Sequence, residues 1–319
     1  MTSAFPKDPA PLLVVHQGAL GDLILAHWAM RSVPGPLPAQ SAAVVQASWI
    51  PLATDLLGFG QALAVESPWF ASLFSRPSEQ AGAFLSPFRT ALVFSRNPLL
   101  AENLCRAGLA VIRVAPRPPL GESIHAAEYL ARELAKGLGL EPPQFPPLYP
   151  EAPAPDPSRR RVVLHPGAGS RRKRWPLENF LALERLLSQK GLECTYLAGP
   201  AEPDLAAQLM DKGKGLHNLV SSSNLKPLIE RLRGACGFVG NDSGVSHIAG
   251  LLGVCTVTVF GPSDPVRWRP LGPRCRVARG EVSCEPCFET RAQNCDHPAC
   301  LLGVSPEEVA AALLEETGL

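Results

Sequence analysis

Net charge is the first thing this chain lacks. Thirty Lys and Arg stand against 29 Asp and Glu, a formal +1 over 319 residues, so no basic surplus marks a nucleic-acid binder. No stretch of 18 apolar residues occurs, which excludes a membrane-crossing helix. The start, MTSAFPKDPAPLLVVHQGALGD, has no basic opening followed by a long apolar run. It is read as lacking a secretory signal, and a cytoplasmic location is expected. Nine cysteines, an odd number, disfavour a full disulfide framework and suit a reducing compartment. Prolines (34) and glycines (27) are many but follow no repeat, so the chain is not fibrous. With 46% apolar and 18% charged residues, it has the composition of buried cores and not of a disordered polymer. Its length suits about two domains.

Strand and helix signals alternate along the chain. Leu12–His16, Ala42–Gln46, Thr90–Phe94 and Ala110–Val114 read as buried strands, and Leu23–Val33 and Tyr129–Gly139 as helices. Eight of the 18 residues from Glu141 to Ser158 are proline. Such a stretch forms neither helix nor central strand, and it is an interdomain linker or, alternatively, a surface loop within one domain. Beyond it come strands at Arg161–His165, Cys194–Ala198, Gly237–Gly240 and Cys255–Phe260. Helices are predicted at Pro176–Lys190, Asp204–Lys212, Leu225–Gly234, Val245–Leu252 and Ser305–Thr317, the last capped by Ser305. The α/β alternation on both sides of the linker predicts two Rossmann-like domains facing a central cleft, residues 1–150 and 151–319. The last helix either closes the second domain or returns to the first.

Three turns carry chemistry. In GALGD, Gly18–Asp22, two glycines permit a tight turn after a strand. Asp22 is either the N-cap of the next helix or a carboxylate able to take a proton from an incoming hydroxyl. In HPGAGSRRKRWP, His165–Pro176, glycine-rich backbone can donate N–H groups to phosphate oxygens, and Arg171–Arg174 supply cations. The bland alternative for that charge run is a solvated face, and not all four side chains can reach one ligand. In GNDSGVSHIAGLLG, Gly240–Gly253, Asp242 and Ser243 suit the capping positions of a helix whose N-terminus favours an anion. His247 lies one and a half turns further on, and is a packed or a site histidine. GxxxxGK[ST] is absent, and neither half supplies G-x-G-x-x-G with an acidic residue about 20 positions on. A P-loop and an NAD-dependent dehydrogenase are thereby disfavoured.

Near the C-terminus, Cys284, Cys287, Cys295 and Cys300 follow C-x2-C-x7-C-x4-C, with His297 close by. Free thiols, a disulfide pair and a structural zinc site are the three readings, the intervals being irregular for a zinc ribbon.

Taken in order, LLVVHQGALGDLIL, LHPGAGSRRKRWP, LAGPAEPD, GFVGNDSGVSHIAGLLGVCTVTVFGPSDPVRWRP and the cysteine-bearing tail CEPCFETRAQNCDHPACLLGVSPEEV resemble the ADP-heptose:lipopolysaccharide heptosyltransferases, glycosyltransferase family 9. The resemblance is strongest from Val162 to Val309. It implies a GT-B fold and inverting transfer of a heptose from an ADP-heptose-like nucleotide-sugar donor, with no metal and no cofactor. The acceptor it implies is a hydroxyl of a lipopolysaccharide-core glycan or glycolipid. Asp22 matches the general base. Lys173 matches the lysine that meets the departing diphosphate. Gly21, Gly167, Ala168, Gly169, Ser170, Asp242, Ser243, Gly244 and His247 match donor-site positions. The acidic ribose partner is Glu202 or Asp204. An acceptor anchored in the inner membrane calls for peripheral docking at its cytoplasmic face, for which Ser67–Phe74, SPWFASLF, is a candidate unless it is core.

Two departures stand against the family pattern. Residues 41–75 contain no Lys or Arg, where better-known members use basic residues to hold a phosphorylated acceptor, leaving Arg76, Arg89 and Arg96 as substitutes. Ala168-Gly169 stands where some members carry hydroxyls. The alternatives are the same fold with another nucleotide sugar or acceptor, and a non-catalytic nucleotide-sugar-binding protein.

Overall fold

LLVVH at residues 12–16 is apolar without alternation and forms strand β1 (Leu12–His16), every residue of it buried. That is the signature of a strand covered on both faces. The same holds for β2 (Ala42–Val45), and for four of the five residues of β4 (Thr90–Phe94). With β3 (Gln61–Ala64) and β5 (Ala110–Val114) they make a parallel sheet of order β3-β2-β1-β4-β5. A second parallel sheet comprises β6 (Arg161–His165), β7 (Glu193–Tyr196), β8 (Gly237–Asn241), β9 (Cys255–Val259) and β10 (Cys275–Ala278), in the order β10-β9-β8-β6-β7. This computed structural model describes residues 11–33, 41–145, 156, 158–199, 202–212, 225–290, 295 and 298–319.

The chain divides into two compact units, each an α/β layer structure. One holds residues 1–119, 126–148 and 223–225; the other holds 120–125, 149–222 and 226–319. The assignment changes units after residue 148, within the Pro-rich stretch, of which residues 146–155 and 157 lie outside the described residues. The first sheet has the 3-2-1-4-5 order of a dinucleotide-binding sheet. The second, counted from its own first strand and read from the opposite edge, is 2-1-3-4-5, the flavodoxin-like order. The order in which strands are added therefore reverses between β1 and β4 in one unit and between β6 and β8 in the other, all strands staying parallel. In open α/β sheets the crevice beyond the strand ends at that reversal is where ligands bind. All three turns singled out from the sequence follow β1, β6 or β8.

Each unit has its own core. In the first, Leu13, Val15 and Val93 join Trp69, Phe70 and Leu73. Trp69 and Phe70 meet edge to face at 5.6 Å, and Trp69 lies 4.4 Å from Phe84. The candidate interfacial segment Ser67–Phe74 is thus core: its large side chains found a buried aromatic cluster, and the membrane-docking role for it is withdrawn. In the second unit Trp175, Phe180, Leu183 and Leu187 meet Val309 and Leu313. Those last two residues lie on helix Pro306–Thr317. That helix packs on the second sheet: its buried face covers β8 and β9, and Glu315 pairs with Arg276 of β10 at 3.4 Å.

Strands β3 and β10 were not expected. QALA and CRVA are short edge strands of mostly exposed or half-exposed residues. They form because a neighbouring strand offers its open edge, and not because of their own apolar content.

Candidate active site

In the first unit, β1 ends at His16, and residues 17–19 turn into helix Leu20–Ser32. The turn must pass close to its own neighbours. A Cβ on Gly18 would sit 3.0 Å from His16 Cε1 and 3.1 Å from Asp22 Oδ2, so glycine is what lets that carboxylate fold back over the turn. The helix starts earlier than the sequence suggests, with Ala19 as its N-cap. Asp22 is consequently not the cap but the third helical residue, and Gly21 lies within the first turn. The Asp22 carboxylate accepts from the Ala19 amide at 3.4 Å and from Arg117 Nη2 at 3.1 Å. Ala19 has no acceptor to complete the reciprocal half of a capping box. Asp22 also tells on His16: burial lowers that imidazole to about 4, and the Asp22 charge opposes the shift.

In the second unit, β6 ends at His165 and residues 166–170 turn into a single 3-10 turn, Arg171–Lys173. The Ser170 hydroxyl accepts from the Arg172 amide at 3.4 Å. A Cβ on Gly167 would sit 2.8 Å from Glu202 Cδ and 2.9 Å from His165 Nε2, so the turn closes only with glycine there. Ala168 is buried, while Gly169 is exposed with open space beside it.

The four consecutive cations diverge. Arg171 and Arg174 both reach the Asp204 carboxylate, at 3.2 and 3.0 Å. Arg172 donates to the Cys287 sulfur at 3.6 Å. Lys173 Nζ lies 2.7 Å from Asp242 Oδ2, the lysine side chain 19% exposed and the aspartate 7%. Two of the cations are thus committed to holding a helix start, and Lys173 alone is delivered to the end of β8.

There Asp242 and Ser243 lead into helix Gly244–Leu251, with Ser243 at its N-cap. Ser243 does not cap with its side chain. Its hydroxyl instead approaches His165 Nδ1 and Ser246 Oγ, both at 3.4 Å. The amides of Gly244 and Val245 have no carbonyl within the helix to meet, and both residues are partly exposed. Lys173 is thus brought to Asp242, two residues before a helix start whose open amides and positive end favour an anion. His247, further along, is 4% exposed and close enough to depress the buried His125 further by its charge.

The two ribose candidates separate. Glu202 is 6% exposed, accepts from the Gly199 amide at 3.0 Å and touches the glycine turn. Burial raises its pKa, against the Gly199 bond and the Arg174 charge. Asp204 faces the two arginines: what burial it has raises its pKa, but the Arg174 and Arg171 charges outweigh that and lower it.

Asn241 was missed by sequence reasoning, though it is fully buried at the end of β8. Its Oδ1 accepts from the Trp175 amide at 2.9 Å, and its Nδ2 donates to the Pro166 carbonyl at 2.8 Å. One carboxamide thus ties the start and the end of the basic loop to the central strand. The signal was available: an asparagine between an apolar strand and Asp-Ser-Gly. Arg267 was missed too. It is 4% exposed, pairs with Glu289 at 2.9 Å, and donates to the Glu122 carbonyl.

All nine cysteines are free thiols, and no group of three or more metal-binding side chains stands together among the described residues. The disulfide and zinc readings of the tail find no geometry there. His297 lies outside the described residues.

The family model described as glycosyltransferase family 9 (heptosyltransferase) matches residues 124–296, over half the chain, and leaves the β1 turn outside the match. A lipooligosaccharide heptosyltransferase 2 of Campylobacter jejuni is 27% identical over 157 residues, 47% of this chain. The matched segment spans about half the length of that curated relative, 49%. Two solved structures are similar in fold over nearly their whole length. A family 9 glycosyltransferase of Veillonella parvula has a TM-score of 0.73 at 17% identity, covering 96% of this chain and 98% of that one. The E. coli heptosyltransferase WaaC with ADP has a TM-score of 0.67 at 18% identity, covering 96% and 99%.

Proposed function

The chain belongs to glycosyltransferase family 9, the heptosyltransferases, and from that premise we propose that it transfers a heptose from an ADP-heptose-like donor to a glycan hydroxyl. The observation that carries the reading is the placing of Lys173 Nζ 2.7 Å from Asp242, beside the open start of helix Gly244–Leu251. A sugar leaving group that departs as a nucleoside diphosphate gains negative charge in the transition state. A cation and oriented N–H groups already in position stabilise it without reorganising.

Each part of the proposed chemistry has a residue. Asp22, at the start of the first unit's leading helix, accepts the proton of the acceptor hydroxyl as its oxygen attacks the anomeric carbon. Attack opposite the departing diphosphate inverts that carbon. The C–O bond to the diphosphate breaks, and Lys173 and the Gly244 and Val245 amides take up the charge. No metal is assigned a part in this scheme. Gly167, Ala168, Gly169 and Ser170 offer backbone and hydroxyl to the phosphates, with Ser243, Gly244 and His247 on the sugar side. Glu202, not Asp204, takes the ribose hydroxyls, since Asp204 is already occupied by two guanidiniums. The acceptor is a lipopolysaccharide core or a related glycolipid, met at the cytoplasmic face of the inner membrane. That last element is a matter for vesicle binding.

A panel of nucleotide sugars tests the reading. Turnover is expected with an ADP-heptose and not with UDP-hexoses, with inversion at the anomeric carbon and no loss of rate in a chelator. Binding and hydrolysis of another donor with indifference to ADP-heptose would remove the heptose. Donor binding with no transfer to any glycan acceptor would make the protein a nucleotide-sugar-binding protein instead.

A further inference from the structure

We propose that Phe288 is a positioning residue for Lys173, held under its ammonium by a strap formed from the cysteine-bearing tail. This rests on the donor role given to Lys173 above. The Phe288 ring centroid lies 4.2 Å from Lys173 Nζ, well inside the reach of a cation–π contact. Arg172 approaches the same ring, its guanidinium carbon 5.7 Å from the centroid.

The backbone on either side of the ring is tied down. The amides of Cys287 and Phe288 both donate to the Pro262 carbonyl, at 2.9 and 3.0 Å. The next side chain, Glu289, forms an ion pair with Arg267 Nε at 2.9 Å and accepts from Trp268 Nε1 at 3.1 Å. Arg267 is itself 4% exposed, so this anchor is buried and charged. Residues 287–289 are thus clamped at both ends to one segment, 262–268, just beyond β9. The ring has little freedom but to lie where Lys173 ends.

Lys173 therefore has two partners of different kinds. Asp242 attracts it through charge and competes with any phosphate for that charge. The Phe288 face attracts it without neutralising it, and sheds water from one side of the ammonium. As a diphosphate draws the ammonium from Asp242, the ring still fixes its place. A flexible four-carbon stem is thereby restricted before the ligand arrives, which lowers the entropy lost on binding. This gives the C-x2-C-Phe segment a use that needs neither a metal nor a disulfide.

The test uses the full chain, with ADP as probe. F288L keeps bulk and removes the π-face; F288Y keeps the ring. F288L is expected to weaken ADP binding by calorimetry roughly threefold to thirtyfold, and to raise the donor KM. F288Y recovers most of that loss. In a K173A background F288L changes ADP affinity by less than about twofold. Without any ligand, the Lys173 protons next to the ammonium are expected upfield in NMR spectra of the unaltered protein, shifted by the ring current, and at their ordinary position in F288L. An equal loss from F288L with and without Lys173 overturns the proposal, because the ring then serves packing alone. So does an ordinary Lys173 shift in the unaltered protein, a measurement that needs no variant to fold. Failure of the unaltered protein to bind ADP or any nucleoside diphosphate sinks the donor role instead, while the ring-current shift still decides the strap.

Discussion

After β1 the chain turns through Gly18 into a helix whose first turn carries one carboxylate, Asp22, answered by Arg117, itself 53% exposed. After β6 it turns through Gly167 into four successive cations, two locked on Asp204 and one on the nearly buried Asp242. Both turns need glycine because a Cβ would strike a neighbouring carboxylate and a histidine. The strand, the glycine and the reversal point of the sheet are common to both units; the sign of the charge set on them is not. An aspartate in a helix's first turn is favoured by the helix dipole and keeps free lone pairs for a proton. A lysine on a 3-10 turn carries positive charge to a second helix's N-terminus. One scaffold thus sets a carboxylate in one unit and a cation in the other, the two charges the proposed transfer asks for.

The strongest way to break this contrast is to remove each charge in turn. D22A is expected to lower transfer about a thousandfold while leaving ADP affinity within about twofold. K173A is expected to lower transfer about a hundredfold and to weaken ADP binding as well. Steady-state kinetics with calorimetry separates them, and equal loss of ADP affinity in both would make Asp22 a structural residue of the turn.

The second way is acid. Burial holds His16 and His27 of the first unit at about 4, and His165 of the second at about 4 with His125 at about 3. Unfolded imidazoles gain a proton near pH 6.5, where the folded ones do not. The unfolded state therefore binds more protons between about 6.5 and 4, and stability falls as pH falls through that window. Between about pH 6.5 and 4.5 each imidazole accounts for at most about 3 kcal/mol of that loss. Urea midpoints measured from pH 7.5 to 4.5 should drop steadily, and H165Q should flatten the slope for the second unit alone. A midpoint independent of pH would contradict the burial of all four.

The smallest effect belongs to Arg117. The guanidinium of its pair with Asp22 is half in water, so R117A is expected to change stability by under about 1 kcal/mol and transfer by less than about twofold. A larger loss would mean that the first turn relies on its cation as the second does.

The central strands were legible because LLVVH, RVVLH and CTVTV are runs of strand length rich in β-branched or apolar residues, buried at every position or all but one, as doubly covered strands are. The motif-bearing turns were legible because glycine and charge follow each run directly. Helix starts were read late, as at Leu20 for Leu23, because Ala19 and Leu20 carry no capping signal. Edge strands such as CRVA escaped because their pairing partner, not their composition, makes them strands. Asn241 and Phe288 escaped for a further reason: each acts on residues more than 60 positions away in sequence, and no local pattern records that.

Asn241 has a consequence of its own. Its amide donates to the Pro166 and Gly167 carbonyls while its oxygen accepts from the Trp175 amide, and Pro166 and Trp175 lie nine positions apart on the same loop. An aspartate there would match it in outline yet present a second acceptor to the Pro166 carbonyl, opening the loop where an amide had closed it. The grip on the charged segment thus depends on a neutral group that no residue of similar shape can replace.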